Sequence, residues 1–197
     1  MMTLYMMRHG ETDYNAQRRF YGSSDVPLNA KGRQQAIAMA EQVVAVPIER
    51  VYVSSLRRTQ ETAELVFGGA YALEVVKDWD EKGFGAWEGL TADQIEAAYP
   101  SQWLAWLERP FDVTPPAAEP FHQFRERVQA AARALNLGAS SASVAIVGHL
   151  GVLRLLYQEL VDPAAVFWEI DFPQGQVICL HQDDKGQWSC QSLAGVN

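Results

Sequence analysis

Leu4-Tyr5-Met6-Met7-Arg8-His9-Gly10-Glu11-Thr12 is the stretch whose reading decides the fold. A short run of apolar, β-prone residues passes directly into an arginine and a histidine, which is how a buried central strand delivers reactive side chains at its carboxyl end. Arg8 can grip an oxyanion, His9 can act as nucleophile or base, and Gly10 lets the backbone turn closely against a bound ligand. A three-residue word such as Arg-His-Gly equally fits an ordinary strand-to-loop turn, so its weight depends on what lies further along the chain.

Working outward, Glu11 to Asp25 is polar and irregular, carries Asn15, Arg18, Arg19 and Gly22, and reads as a loop at the same end of the sheet. Asn29 is an N-cap for a helix whose Ala36, Met39, Ala40 and Val43 share one face. Val51-Tyr52-Val53 predicts a second strand ending in Ser54 and Ser55, and the helix from Leu56 to Phe67 follows at once with Arg57 and Arg58 in its first turn. Tyr71 to Val76 predicts a third strand that runs into Trp79, Asp80, Glu81 and the stretch from Gly83 to Gly89, where no third glycine completes a dinucleotide fingerprint. Between Thr91 and Phe121 lie two short helical patterns, Ala92 to Ala98 and Ser101 to Leu107, then a proline-rich segment that suits neither core helix nor central strand. Glu119 to Leu137 reads as a long amphipathic helix, Val144 to Val147 as a buried strand ending in Gly148 and His149, and Leu150 to Leu160 as a helix. Phe167 to Phe172, Gln176 to His181 and Trp188 to Leu193 read as antiparallel closing strands. The expectation is a three-layer α/β/α fold with a mostly parallel sheet, one domain over 1–197, with 91–121 as a short helical lid insertion.

At 197 residues and 48% hydrophobic content the chain can bury the core of one globular domain. A formal charge of −8 and a pI of about 5.0 exclude a nucleic-acid or anionic-membrane surface as the main partner, so phosphate binding must come from a local cluster. Cys179 and Cys190 have no metal-ligand spacing and are too few for a disulfide framework; they read as buried packing residues of a protein in a reducing cytosol. Met2 to Met7 is too short for a secretory segment and is cut off by Arg8, and no run reaches membrane-spanning length. The reading is a soluble, cytoplasmic protein.

Polar residues of one chemical theme close several strand ends or adjoining turns: Arg8 and His9, Arg57 or Arg58, Glu81, and His149. In a parallel α/β sheet such ends converge on one crevice. Guanidiniums there can neutralise equatorial oxygens, a histidine can attack in line, and a carboxylic acid can protonate the departing oxygen, so phosphoryl transfer needs no metal and no other cofactor. A metal site built from His9, His149 and Glu81 is disfavoured because adjacent arginines repel a divalent ion. Spacing alone does not separate Glu81 from Asp78, Asp80 and Glu88. His122 and His181 have no convergent partners and read as surface residues.

Taken together, Arg8-His9-Gly10-Glu11-Thr12 with Asn15, Ser54-Ser55-Leu56-Arg57-Arg58 with Thr62-Ala63, Glu81 before Phe84-Gly85 and Trp87-Glu88-Gly89, and Gly148-His149 resemble the histidine phosphatase, or phosphoglycerate-mutase-like, superfamily over nearly the whole chain. The resemblance implies that His9 becomes phosphorylated, that Arg8, Arg58 and His149 hold the phosphoryl group with help from Asn15, and that Glu81 is the proton donor. It selects Arg58 over Arg57 and Glu81 over Glu88. Many members carry a small residue where this chain has Leu150. Among the branches, the short Trp103/Trp106 lid, Glu119 before the long helix and Ala165-Val166-Phe167-Trp168 are most similar to the α-ribazole-5′-phosphate phosphatases of cobamide nucleotide-loop assembly. The implied partner is a small-molecule phosphomonoester contacted by Asn15, Gly22, Leu150, Trp103 and Trp106. Water is the implied acceptor, since the longer insertion of the mutases is lacking; a broad-specificity phosphatase, a mutase and a non-catalytic phospho-ligand module are the alternatives.

Overall fold

The structure, a computed structural model, describes residues 2–137 and 143–193. Strands β1 (Thr3–Arg8), β2 (Arg50–Val53), β3 (Leu73–Val75), β4 (Ser143–Gly148), β5 (Val177–Gln182) and β6 (Trp188–Ser192) form one sheet in the order β3-β2-β4-β1-β5-β6. Pairing is parallel from β3 to β1 and antiparallel from β1 to β6. The helices are α1 (Asp13–Ala16), α2 (Ala30–Val43), α3 (Arg57–Phe67), α4 (Ala92–Ala98), α5 (Pro100–Glu108), α6 (Phe121–Ala134) and α7 (Leu150–Leu160).

Because successive side chains of a strand point to opposite faces, a strand buried on both sides must be apolar where it is buried, and β1 is from Leu4 to Met7. Leu4 and Met6 enter a core shared with α6, α7 and Trp79, while Tyr5 and Met7 enter another with α2 and α3. That pair of cores is the three-layer arrangement expected from the alternation of strands and helices. Local signals set the helix ends: the Asn29 side chain accepts from Gly32 N at 2.8 Å to start α2, and Gly68 at φ 57° stops α3.

Several boundaries differ from the sequence reading. The loop after β1 contains α1, started by a reciprocal capping box between Thr12 and Asn15. α6 begins at Phe121 because Pro120 occupies its N-cap. Phe167 to Phe172 is not a strand: Glu169 N donates to the Val166 carbonyl to close a turn, and Arg154 Nε takes the Ile170 carbonyl. Trp168, Ile170 and Phe172, alternating with Glu169 and Asp171, imitate strand patterning there. The cysteines are also less buried than expected, with Cys179 at intermediate exposure and Cys190 exposed. Among the described residues, no helix is long and apolar enough to cross a membrane.

Candidate active site

β1 and β4 run parallel in register from Thr3 opposite Ser143 to Arg8 opposite Gly148, so they end side by side. His9 N extends the pairing by donating to the Gly148 carbonyl at 3.0 Å, which brings the His9 and His149 rings to 5.2 Å between centroids. β2, on the other flank of β4, ends at Val53 and hands over to the buried Ser54. The sheet order therefore gathers the three strand ends that the sequence marked.

His9 is 3% exposed, and its Nδ1 lies 2.8 Å from the Gly10 carbonyl. A carbonyl only accepts, so Nδ1 carries the hydrogen and the Nε2 lone pair is left unshared in the neutral ring. Burial, then the guanidiniums of Arg58 and Arg8, push the His9 pKa well below 6.5, against the pull of the Gly10 hydrogen bond. His149 is fully buried, with Nε2 at 2.8 Å from Ser54 Oγ and Nδ1 at 3.3 Å from Arg58 Nε. Arg58 Nε can only donate, so neutral His149 holds its hydrogen on Nε2 and gives it to Ser54. Ser54 Oγ in turn meets Thr59 Oγ1 at 2.8 Å, and Thr59 closes the relay on the Leu56 carbonyl. Burial first, then Arg58, His9, Arg8 and Arg127, lower the His149 pKa well below 6.5.

The two-arginine ambiguity is resolved by orientation. Arg57 turns outward to Glu61 on the exposed side of α3, whereas Arg58 is fully buried. Arg58 Nη1 donates to the Ser24 carbonyl at 2.8 Å and Nη2 to the Gly22 carbonyl at 2.7 Å, and the Tyr21 ring centroid lies 4.8 Å from its guanidinium carbon. With Nε on His149, three of the five guanidinium hydrogens are engaged among the described residues and two remain for a ligand. Arg8 lines the cleft, and its buried Nε has no hydrogen-bond partner among the described residues. A buried unpaired donor costs stability, and a bound anion would satisfy it.

Of the four candidate acids only Glu81 lines the cleft. Its Oε1 accepts from Lys82 N at 2.9 Å and its Oε2 from Gly151 N at 3.0 Å. Asp80 is held by the Ser55 amide and hydroxyl. Glu88 is occupied by the amides of Gly22, Ser23, Ser24 and Phe84 and by both serine hydroxyls. Burial raises the Glu88 pKa, but those hydrogen bonds outweigh it and leave the carboxyl below its usual value. Glu88 thus fastens the loop that presents the Gly22 and Ser24 carbonyls to Arg58.

Asn15 faces the cleft, and its Oδ1 accepts from Thr12, Tyr21 and Gln174, leaving its Nδ2 unengaged among the described residues. Leu150 and Trp106 also line the cleft. Gly22 and Trp103 do not. Gly22 serves through its backbone, and a Cβ there would fall 1.7 Å from the Lys82 carbonyl oxygen. Trp103 is 8% exposed and packs behind Trp106 in a small core with Trp87 and Ile95. Gly10 meets protein rather than ligand, since its Cβ would lie 2.3 Å from the Gly32 carbonyl oxygen. The sequence reading did not single out Tyr21, Lys82, Phe111 or Arg154, all of which line the cleft, nor Arg127, which ties the Glu81 segment to α6. No periodic signal marks them, because each matters through contacts between distant segments.

Two buried imidazoles and the Arg58 guanidinium meet at parallel strand ends, with Arg8 and the Glu81 carboxylate in the adjoining cleft, a set of groups whose chemistry suits an oxyanion and phosphoryl transfer. The model of the Histidine phosphatase superfamily (branch 1) matches residues 4–194, and the chain belongs to that superfamily. It is 31% identical over 176 residues to the adenosylcobalamin/alpha-ribazole phosphatase of Salmonella typhimurium strain LT2, covering 88% of this chain and 87% of that protein. Phosphoglycerate mutase-like protein 4 of Arabidopsis thaliana is 32% identical over 198 residues, with 98% of this chain and 85% of that one covered. Among solved structures, the alpha-ribazole phosphatase from Shigella flexneri superposes with a TM-score of 0.88 at 28% identity, covering 96% of this chain and 95% of that chain.

Proposed function

We propose that this phosphatase hydrolyses small phosphomonoesters through a phosphohistidine on His9. The observation that carries the reading is the His9 tautomer, with Nδ1 committed to Gly10 and Nε2 free beneath two guanidiniums. Arg8, the two spare hydrogens of Arg58 and Asn15 Nδ2 receive the phosphoryl oxygens. His149 Nδ1, accepting from Arg58 Nε, holds that guanidinium in place while its Nε2 stays on Ser54. His9 Nε2 forms a bond to phosphorus as the ester P–O bond breaks, and Glu81 gives its proton to the leaving oxygen. Water then attacks the phosphohistidine and passes a proton to the Glu81 carboxylate. Inorganic phosphate leaves, and neutral His9 is restored. Acid-labile, base-stable phosphate should be found on His9 by mass spectrometry after a rapid quench. Phosphate on another residue, or undiminished turnover by His9→Ala, would overturn the reading.

For the substrate, we infer α-ribazole 5′-phosphate or the cobamide 5′-phosphate of cobalamin nucleotide-loop assembly. Relatives of that name support this, as does the flat ring of Trp106 on the cleft wall. Stacking of one ring contributes roughly 1–3 kcal/mol in nucleobase binding, which amounts to about tenfold to a hundredfold over a bare sugar phosphate. The test compares kcat/KM for α-ribazole 5′-phosphate, ribose 5-phosphate and 3-phosphoglycerate on wild type and Trp106→Ala, with phosphoglycerate interconversion followed as the sign of a mutase. Equal values on all three, unmoved by the substitution, would leave a broad-specificity phosphatase.

A further inference from the structure

The cleft, of about 500 Å³, extends well past the phosphoryl pocket and is lined by nine aromatic rings, five cationic side chains and one carboxylate. That balance is the reverse of the chain as a whole, whose net charge is −8. Arg154 stands out among the cations. It projects from α7 into the same cleft as Arg8 and Glu81, and it feels the charge of both. Its Nε is pinned to the Ile170 carbonyl at 2.7 Å, and its guanidinium carbon sits 5.2 Å from the Phe167 ring centroid and 5.5 Å from that of Trp168. Trp168 stacks on Phe111 at 5.2 Å, so the guanidinium is braced by a layered aromatic wall. Among the described residues no carboxylate comes within ion-pairing distance: Asp171 is near enough to stabilise the charge but forms no salt bridge with it. The Nη hydrogens have no acceptor among those residues, and partial burial lowers the pKa of a group left without a counterion.

A rigid, half-buried guanidinium with an open face is arranged to receive an anion, because its orientation and part of its dehydration are settled before the ligand arrives. The other cations of the wall are less suited. Arg19 is committed to the Gly89 carbonyl and to Gln17, and Lys82 Nζ to the Gly83 carbonyl, while Arg18 is exposed.

We propose that Arg154 is a specificity-determining residue that binds a second anionic group of the substrate, carried on an apolar or planar body that lies against the Phe111, Phe167 and Trp168 wall. The proposal rests on the phosphatase reading but not on the ribazole one. α-Ribazole 5′-phosphate carries a single phosphoryl group and no other anion, so it would use the aromatic wall and leave Arg154 idle.

Matched aryl phosphates isolate the second charge: 4-carboxyphenyl phosphate and 4-sulfophenyl phosphate against the neutral 4-carbamoylphenyl phosphate. Wild type should favour an anionic ester over the amide by about tenfold or more in kcat/KM, the range of a charge-assisted hydrogen bond that is partly open to water. The order of carboxylate and sulfonate separates a planar partner from a tetrahedral, phosphate-like one, and a preference for either supports the proposal. In Arg154→Gln the ratio should fall to about one, and Arg154→Lys should keep part of it, with thermal melts confirming that both variants fold. Should Arg154→Gln fail to fold, the wild-type ratio and its retention in Arg154→Lys carry the test. Turnover of all three esters at equal efficiency by wild type, or a preference that survives Arg154→Gln, overturns the proposal while leaving the phosphatase standing. Failure of wild type to hydrolyse any of them would remove the phosphatase reading and this inference with it.

Discussion

Acidification should destabilise the fold through the two buried histidines, His9 and His149. In the unfolded chain an imidazole titrates near 6.5, whereas burial and the neighbouring guanidiniums hold His9 and His149 well below that value when folded. Below pH 6.5 the unfolded state therefore binds more protons than the native state, so stability present at neutral pH is lost as pH falls, until the folded values are reached. At pH 5 proton binding favours the unfolded chain by at most RT ln(1 + 10^1.5), a ceiling of about 2 kcal/mol for each histidine and about 4 kcal/mol for the pair. That is a large share of the ~5–15 kcal/mol that holds a typical domain together. Glu11 and Glu88, whose pKa values are lowered from 4.5, act with the same sign, but most of their contribution is lost below that value, outside this window. Urea unfolding at several pH values between 7.5 and 5 measures the effect, and His149→Gln should remove about half of the pH slope whatever it does to absolute stability. A wild-type slope near zero, or one unaltered by the substitution, would show that the imidazoles are not held neutral and would refute the tautomer argument behind the His9 nucleophile.

Glu81→Gln should reduce kcat by roughly 10²–10⁴ on an alkyl or ribose phosphate and far less on p-nitrophenyl phosphate, whose leaving group needs no proton; equal losses on both would deny Glu81 the role of acid. Gly151→Ala would put a Cβ 2.6 Å from Glu81 Oε1 and 3.2 Å from Phe124 Cζ, so it should reproduce that leaving-group selectivity while costing about 1–3 kcal/mol of stability, measured by the same two assays and a melt. Trp103→Ala should cost about 3–5 kcal/mol in denaturant unfolding, as expected for a ring packed with Trp87 and Ile95. An unchanged unfolding midpoint would place Trp103 outside that core.

The strand ends were legible because a doubly buried strand has to be apolar along its buried length and has to end where polar side chains begin, and β1 and β4 both obey that rule at Arg8 and His149. Arg57 and Arg58 were not separable by the same means. Consecutive residues of a helix differ by about 100° in direction, and which of them is buried depends on where the loop bearing Gly22 and Ser24 packs, a fact of tertiary structure. Phe167 to Phe172 misled for the opposite reason: Trp168, Ile170 and Phe172 alternate with Glu169 and Asp171 as a strand would, yet Arg154 rather than a neighbouring strand satisfies the Ile170 carbonyl.

Glu81 shows why an acid on irregular backbone is hardest to read. Helix and strand residues inherit their direction from a period, but Glu81 lies between two short 3₁₀ turns, Lys77–Trp79 and Gly85–Trp87, where no period applies. Its position is fixed from outside. Arg127 of α6 donates through Nη1 to the Asp78 carbonyl at 2.7 Å and the Asp80 carbonyl at 2.8 Å, while a fork of Nε and Nη2 grips Glu119 at 2.6 and 2.8 Å. One guanidinium thus joins the acid-bearing segment to the helix that packs beneath it. From the other side, Gly151 N at the start of α7 holds Glu81 Oε2 two residues beyond His149. The carboxylate is therefore indexed to the second histidine through α7 and to the core through α6, so its distance from the reacting centre is set by two helices rather than by the loop that carries it. In sequence Arg127 is one more charge on an amphipathic helix, and its part emerges only when two backbone carbonyls and a carboxylate are found around it.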